Sequence, residues 1–232
     1  MRLLPVIALP AVTVLALSGC AFAPKGPIVT EDRDIAAATS VVLGTSGTLT
    51  IREGEPSLVV SAPAAVLDRL TSSVSKGVLD LGVKPGTPGF ALGRISYELT
   101  LPSLEGLEIN GSGDVDSDVP GDDLVIEING SGDVDIDDID AGSVTLSISG
   151  SGDVELSGRT DEFTVSIDGS ADVRADELDA AAVTIDLDGS GDLEVAASDT
   201  LDVSISGAGS VVYEGRPEVT EDISGSGEVS RR

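Results

Sequence analysis

Gly111-Ser112-Gly113-Asp114-Val115 returns as Gly130-Ser131-Gly132-Asp133-Val134 and again as Gly150-Ser151-Gly152-Asp153-Val154. The series continues through Gly169-Ser170-Ala171-Asp172-Val173 and Gly189-Ser190-Gly191-Asp192-Leu193. Two looser copies close it, Gly207-Ala208-Gly209-Ser210-Val211 and Gly225-Ser226-Gly227-Glu228-Val229. Successive copies begin 19, 20, 19, 20, 18 and 18 residues apart. An internal period this even marks a repeat architecture, and it has to be read before any single element.

Apolar residues alternate with polar ones on both flanks of each copy, as in Leu124-Ile126-Ile128, Val144-Leu146-Ile148 and Val183-Ile185-Leu187 before the bends and Val134-Ile136 and Val154-Leu156 after them. A period of two bounded by Gly and Asp signals strands. About 19 residues is too short for a propeller blade or a helical repeat but accommodates one coil of a parallel β-helix. Coils stacked about 4.8 Å apart place equivalent residues over one another, so the interior must be filled by Val, Ile and Leu; two Tyr, three Phe and no Trp in 232 residues agree with that. The expected fold is all-β, a right-handed parallel β-helix over residues 107–230, preceded by a less regular β-rich part over 34–106.

In that earlier part, Thr48–Ile51, Leu58–Val60, Val78–Leu81 and Ile95–Leu99 read as strands, 52–55 as a turn and 84–89 as a loop, while Ala64–Leu70 has short-helix spacing. This half is expected to pack on, or merge with, the first coils and cover one open end of the stack, since exposed strand edges invite aggregation.

The chain begins with Met1-Arg2 and an apolar run from Leu3 to Leu17, broken by Pro5 and Pro10, that leads to Leu17-Ser18-Gly19-Cys20. The run is too short for a membrane span and reads as a signal peptide over 1–19. Leu-Ser-Gly-Cys resembles the lipobox of bacterial lipoproteins, and the resemblance implies diacylation of Cys20, the one cysteine of the chain. Residues 20–33 then read as the lipidated Cys and a tether, and 34–230 as the domain. The expected place is the cell envelope, held to the membrane through the lipid and facing outside the cytoplasm.

The order Thr48-Leu49-Thr50-Ile51-Arg52-Glu53-Gly54, Leu58-Val59-Val60-Ser61-Ala62, Val78–Leu81, then Leu101-Pro102-Ser103-Leu104-Glu105 running into Asn110-Gly111-Ser112-Gly113-Asp114, resembles the opening of the head GIN domain family (DUF2807). The likeness spans residues 34–215. It implies an envelope-located right-handed β-helix, often on lipoproteins, and an adhesin label; it brings no catalytic residues.

Composition narrows the function. With 41 Asp and Glu against 13 Lys and Arg, the formal charge is −28. Such a field repels phosphate backbones, so no nucleic-acid partner is expected. The absence of His excludes Ser-His-Asp triads and His-ligated metals. Ser75-Lys76 is no nucleophile pair, because adjacent strand residues face opposite ways.

In register, Asp114, Asp133, Asp153, Asp172 and Asp192 form one acidic column, and Asp116, Asp135, Glu155, Arg174 and Glu194 a second. Two accounts of the motif stand. Gly and Asp serve a sharp bend, or the acidic column binds Ca²⁺ weakly, like charges so close needing a proton, a hydrogen bond or a cation. The motif differs from the calcium-binding nonapeptide in period and Asp placement. No cofactor is expected beyond that weak Ca²⁺. The leading function is a non-enzymatic surface lipoprotein presenting an acidic solenoid face to an envelope or extracellular protein or glycan. The alternatives are a polysaccharide-acting β-helix enzyme, for which two carboxylates suffice, and a mechanical or cation-binding envelope element.

Overall fold

The computed structural model describes residues 26–87, 92–119 and 121–232. Residues 1–25, and with them the signal segment, Cys20 and the start of the tether, lie outside the described residues. The chain winds a parallel β-solenoid of about seven turns, with about 19 residues between stacked positions. In chain order the elements are β1 (Ile28–Arg33), β2 (Ser40–Leu43), β3 (Thr48–Glu53), β4 (Ser57–Pro63), α1 (Ala64–Leu67), β5 (Leu70–Ser75), β6 (Val78–Val83), β7 (Ser96–Leu101), β8 (Gly106–Gly111) and β9 (Asp114–Ser117). They continue as β10 (Asp123–Gly130), β11 (Val134–Gly150), β12 (Val154–Gly169), β13 (Val173–Gly189), β14 (Asp192–Gly207), β15 (Ser210–Gly215), β16 (Glu218–Gly225) and β17 (Glu228–Arg231).

Each regular coil has three sides. The first runs through β8, β10, the C-terminal halves of β11 to β14, and β16, all parallel and in register. The second runs through β9, the starts of β11 to β14, β15 and β17. The middles of the long strands make the third, entered through register shifts such as that between Ile136 and Ile139. The Gly-Ser-Gly-Asp pentapeptide turns the corner from the first side to the second. Its leading glycine has φ between +134° and +152° in all seven copies, a region L-residues rarely enter.

The interior follows from the alternation. On the first side, Leu79, Val41, Leu107, Ile126, Leu146, Val165, Ile185 and Val203 occupy successive register positions, and all are 4% exposed or less. On the second, Tyr97, Leu49, Val115, Val134, Val154, Val173, Leu193 and Val211 do the same. Phe163 is the one ring in the regular coils that is fully buried, between Val144 and Val183.

The N-terminal half does merge with the stack and cover its end, but not in chain order. The coil of β2 and β3 lies between a later coil, β6 and β7, and the first regular coil, β8 and β9. Residues 102–105 carry the chain back across it, with Leu104 fully buried and the Glu105 N–H donating to the Thr39 carbonyl at 2.7 Å. Beyond β6 and β7 the parallel series stops: β5 pairs antiparallel with β6, β4 with β7, and β1 with β4. The sequence reading of 20–33 as tether is therefore corrected for its last six residues. Ile28–Arg33 alternates too little to announce a strand, yet it is held by six backbone pairs on β4 and by the Arg33 guanidinium, which donates to the Leu67 and Leu70 carbonyls.

Candidate functional site

The strand register decides which side chains meet on the second side. Asp116 lies beside Asp135, Asp135 beside Glu155, Glu155 beside Arg174 and Arg174 beside Glu194, as the repeat spacing predicts. Asp114, Asp133, Asp153, Asp172 and Asp192 stack next to them at the corner, and Ser210 and then Glu228 continue their line. Because the side chains of a strand alternate, both columns point outward while Val115, Val134 and Val154 between them point in. Together the columns border a shallow, open groove of about 370 Å³ whose walls hold six carboxylates and Arg174.

The corner carboxylates are partly engaged in holding coils together. The Asp153 N–H donates to Asp133 Oδ1 at 3.1 Å, the Asp192 N–H donates to Asp172 Oδ1 at 3.2 Å, and the Ser210 hydroxyl donates to Asp192 Oδ1 at 2.5 Å. Among the described residues, no three acidic side chains converge as an ion-holding cluster. The line of Asp114, Asp133, Asp153, Asp172 and Asp192 therefore runs as a ladder along the rod, one carboxylate per coil.

Charge in the second column is uneven. Arg52, at the end of β3, reaches across to β9 and pairs with Asp116 at 2.6 Å and Asp118 at 3.5 Å. The hydrogen bond to Asp116 raises the guanidinium pKa further. Asp135 has no such neighbour. Partial burial, then the charges of Asp137, Glu155 and Asp116, lift its carboxyl above the ordinary carboxylate value. On the third side Arg159 donates twice to Asp140, at 2.8 and 2.6 Å, and holds that carboxyl low. Arg232 gathers Asp176, Glu194 and Glu214. Local pattern does not announce these cationic ties, but the repeat spacing does: Arg232 lies 18, 38 and 56 residues from its three partners, and Arg159 lies 19 from Asp140. Those separations are one, two and three coils.

A family profile described as "Putative auto-transporter adhesin, head GIN domain" matches residues 38–217. The chain belongs to the head GIN domain family. Among solved structures, a "putative adhesin" from Bacteroides fragilis NCTC 9343 superposes with a TM-score of 0.86 at 25% identity, covering 90% of this chain and 99% of its own. A "putative lipid binding protein" from Parabacteroides distasonis ATCC 8503 has a TM-score of 0.73 at 23% identity, covering 90% and 98%. A "putative adhesin" from the same organism has a TM-score of 0.69 at 18% identity, again covering 90% and 98%. No curated protein matches the chain significantly. The names attached to the head GIN family and to these structures are those of adhesins and a lipid-binding protein, not of enzymes. Among the described residues no helix is long and apolar enough to cross a membrane.

Proposed function

We propose that this head GIN protein is a non-enzymatic envelope lipoprotein, diacylated at Cys20, which becomes the mature N-terminus, and that its acidic solenoid side binds an envelope or extracellular protein or glycan that presents positive charge. The observation that carries the reading is the in-register stacking of the two acidic columns beside an open groove. Such a surface is long, straight and preorganised, and preorganisation lowers the ordering cost of binding. Its carboxylates are spread along the rod, which suits multipoint attachment to an extended cationic surface and favours a salt-sensitive association.

Two measurements test this. Cys20→Ser, made with an ordinary cleavable secretory signal in place of residues 1–19, should move the protein from the membrane fraction to the soluble extracellular or periplasmic fraction; retention in the membrane would refute the anchor. Immobilised protein should enrich a partner from envelope extract at low salt, and the triple change Asp116→Asn, Asp135→Asn, Glu155→Gln should abolish that enrichment. Capture unaffected by the triple change would remove the acidic face from the reading. Melting in excess Ca²⁺ and in EDTA adds the cation arm: an unchanged midpoint excludes Ca²⁺ stiffening of the Asp114–Asp192 column.

A further inference from the structure

Charge is distributed very unequally along the rod. Residues 26–106 hold six basic and nine acidic side chains, a net of −3, whereas residues 107–232 hold five and 32, a net of −27. Both Lys residues of the described chain and three of its Arg residues lie on or beside the cap: exposed Arg69, Lys76 and Lys84 border the β5–β6 hairpin, exposed Arg94 precedes β7, and Arg33 ends β1. Arg69, Lys76, Lys84 and Arg94 have no carboxylate within 4 Å among the described residues. Arg52, Arg159 and Arg232 are committed to acids, and Arg174, Arg216 and Arg231 are dispersed among the 32 carboxylates of the coils. On the cap, Arg33 is tied to Glu31, while Asp32, Asp34, Asp68 and Asp80 offset the other four cations; the cap is thus close to neutral beside a net of −27 on the coils.

The same end receives the N-terminal segment. β1 is the outermost strand of the second side, and the Pro27 carbonyl accepts from the Ala64 N–H of α1 at 3.1 Å. Ile28 and Val29, 56% and 38% exposed, stand there as well. Cys20 to Lys25 is six residues, a reach of at most about 20 Å. From β5 to β16 the first side takes nine inter-strand steps, roughly 43 Å at about 4.8 Å each.

We infer that the capped end of the solenoid, formed by β1, α1 and the β5–β6 hairpin, is a contact surface for an anionic bilayer, and that the acidic coils stand away from it. The inference rests on the lipid-anchor reading above. A rod lying flat would bring a net −27 within the screening length of about 8 Å at physiological ionic strength and press carboxylates toward a hydrocarbon layer that cannot solvate them. An upright rod presents its unpaired cations and two exposed aliphatic side chains to the lipid and leaves the acidic groove clear for a partner.

The chain has no Trp and one Cys, which makes the test clean. The mature chain from Cys20 is coupled through its thiol to maleimide lipid in phosphatidylglycerol–phosphatidylcholine vesicles that carry dansyl lipid, so the result does not depend on natural acylation. Energy transfer to dansyl is read from Ser73→Trp on the cap and, separately, from Ser226→Trp on the distal coil. Transfer several-fold stronger from Ser73→Trp, with the difference shrinking on Lys76→Glu plus Lys84→Glu in anionic but not in pure phosphatidylcholine vesicles, supports the orientation. Equal transfer from both sites overturns it, and a difference indifferent to the charge reversal overturns the cationic contact. Failure of the Cys20→Ser fractionation, by contrast, bears on the anchor alone.

Discussion

Three glycines separate the two reasons a solenoid corner needs glycine. Gly142 lies at the third corner with no positive φ, and a Cβ there would stand 3.5 Å from the Asp122 carbonyl oxygen, an ordinary contact. Gly111 has φ +141° but nothing within 4 Å of the added atom. Gly150 has φ +147°, and its Cβ would fall 1.9 Å from the Gly130 carbonyl oxygen. That oxygen also accepts the Ser151 N–H at 2.9 Å. Gly142→Ala should therefore change stability by no more than about 0.5 kcal/mol. Gly111→Ala should cost the backbone strain alone, about 1–3 kcal/mol. Gly150→Ala adds a forced separation of coils, about 1–3 kcal/mol for overpacking, and about 1 kcal/mol for the lost hydrogen bond. The sum, roughly 3–7 kcal/mol, is a large part of the 5–15 kcal/mol typical of a domain. Urea unfolding followed by far-UV circular dichroism reads all three. Since coils contact only their neighbours, Gly150→Ala should also reduce cooperativity, seen as a lower m-value. If Gly150→Ala is no worse than Gly111→Ala, contact between stacked corners is not what the glycine ladder relieves.

Phe163→Ala, which empties the one buried ring position of the regular coils, should cost about 3–5 kcal/mol in the same assay, with Phe163→Leu costing less. Asp135 titrates above its ordinary 3.8 in the folded chain, so the folded state keeps a proton the unfolded chain has released, and stability from this group falls as pH rises from 3.8 through the folded value. Asp135→Asn should flatten that fall and raise the melting temperature at neutral pH. Asp140 is lowered by Arg159, so its contribution runs the other way, present above the ordinary value and lost as acid reaches the depressed one; Asp140→Asn should remove it. Arg232→Ala should lower the melting temperature in dilute buffer and have little effect near 1 M salt, where the screening length is about 3 Å.

The repeat was legible because it is local information copied seven times. Each pentapeptide carries its own bend, and each flank its own alternation, so coil length, inward residues and both acidic columns follow from counting. Thr48–Ile51, Leu58–Val60 and Val78–Leu81 were legible as strands for the same reason, although β3 runs on through Glu53, two residues into the expected turn. What could not be read was order in space. That β2 and β3 sit inside the coil of β6 and β7 depends on the docking of segments some 40 residues apart, and no local pattern encodes it. β1 was missed because all its side chains are exposed or half-exposed, so burial left no trace in its sequence. The arginine ties are not legible locally because each joins residues one to three coils apart.

The distribution of those arginines explains how so acidic a stack persists, and where it is least satisfied. Stacking copies every outward carboxylate onto the next coil, so repulsion accumulates along a column unless something interrupts it. In the corner column, the Asp153 and Asp192 N–H groups donate to the carboxylates of the preceding coil. In the second column Arg52 neutralises Asp116 at one end, and Arg174 separates Glu155 from Glu194. Asp135 and Glu155 are adjacent carboxylates, and Asp135 has no cation of its own; partial burial first, and then the charges of Asp137, Glu155 and Asp116, raise its pKa. A positive group from outside would gain most at that point, because it relieves repulsion already present in the free protein as well as forming its own pair. The groove of the proposed binding side is lined by Asp116, Asp135 and Glu155, so a cationic partner seated there would meet carboxylates whose mutual repulsion is part of what raises the Asp135 pKa.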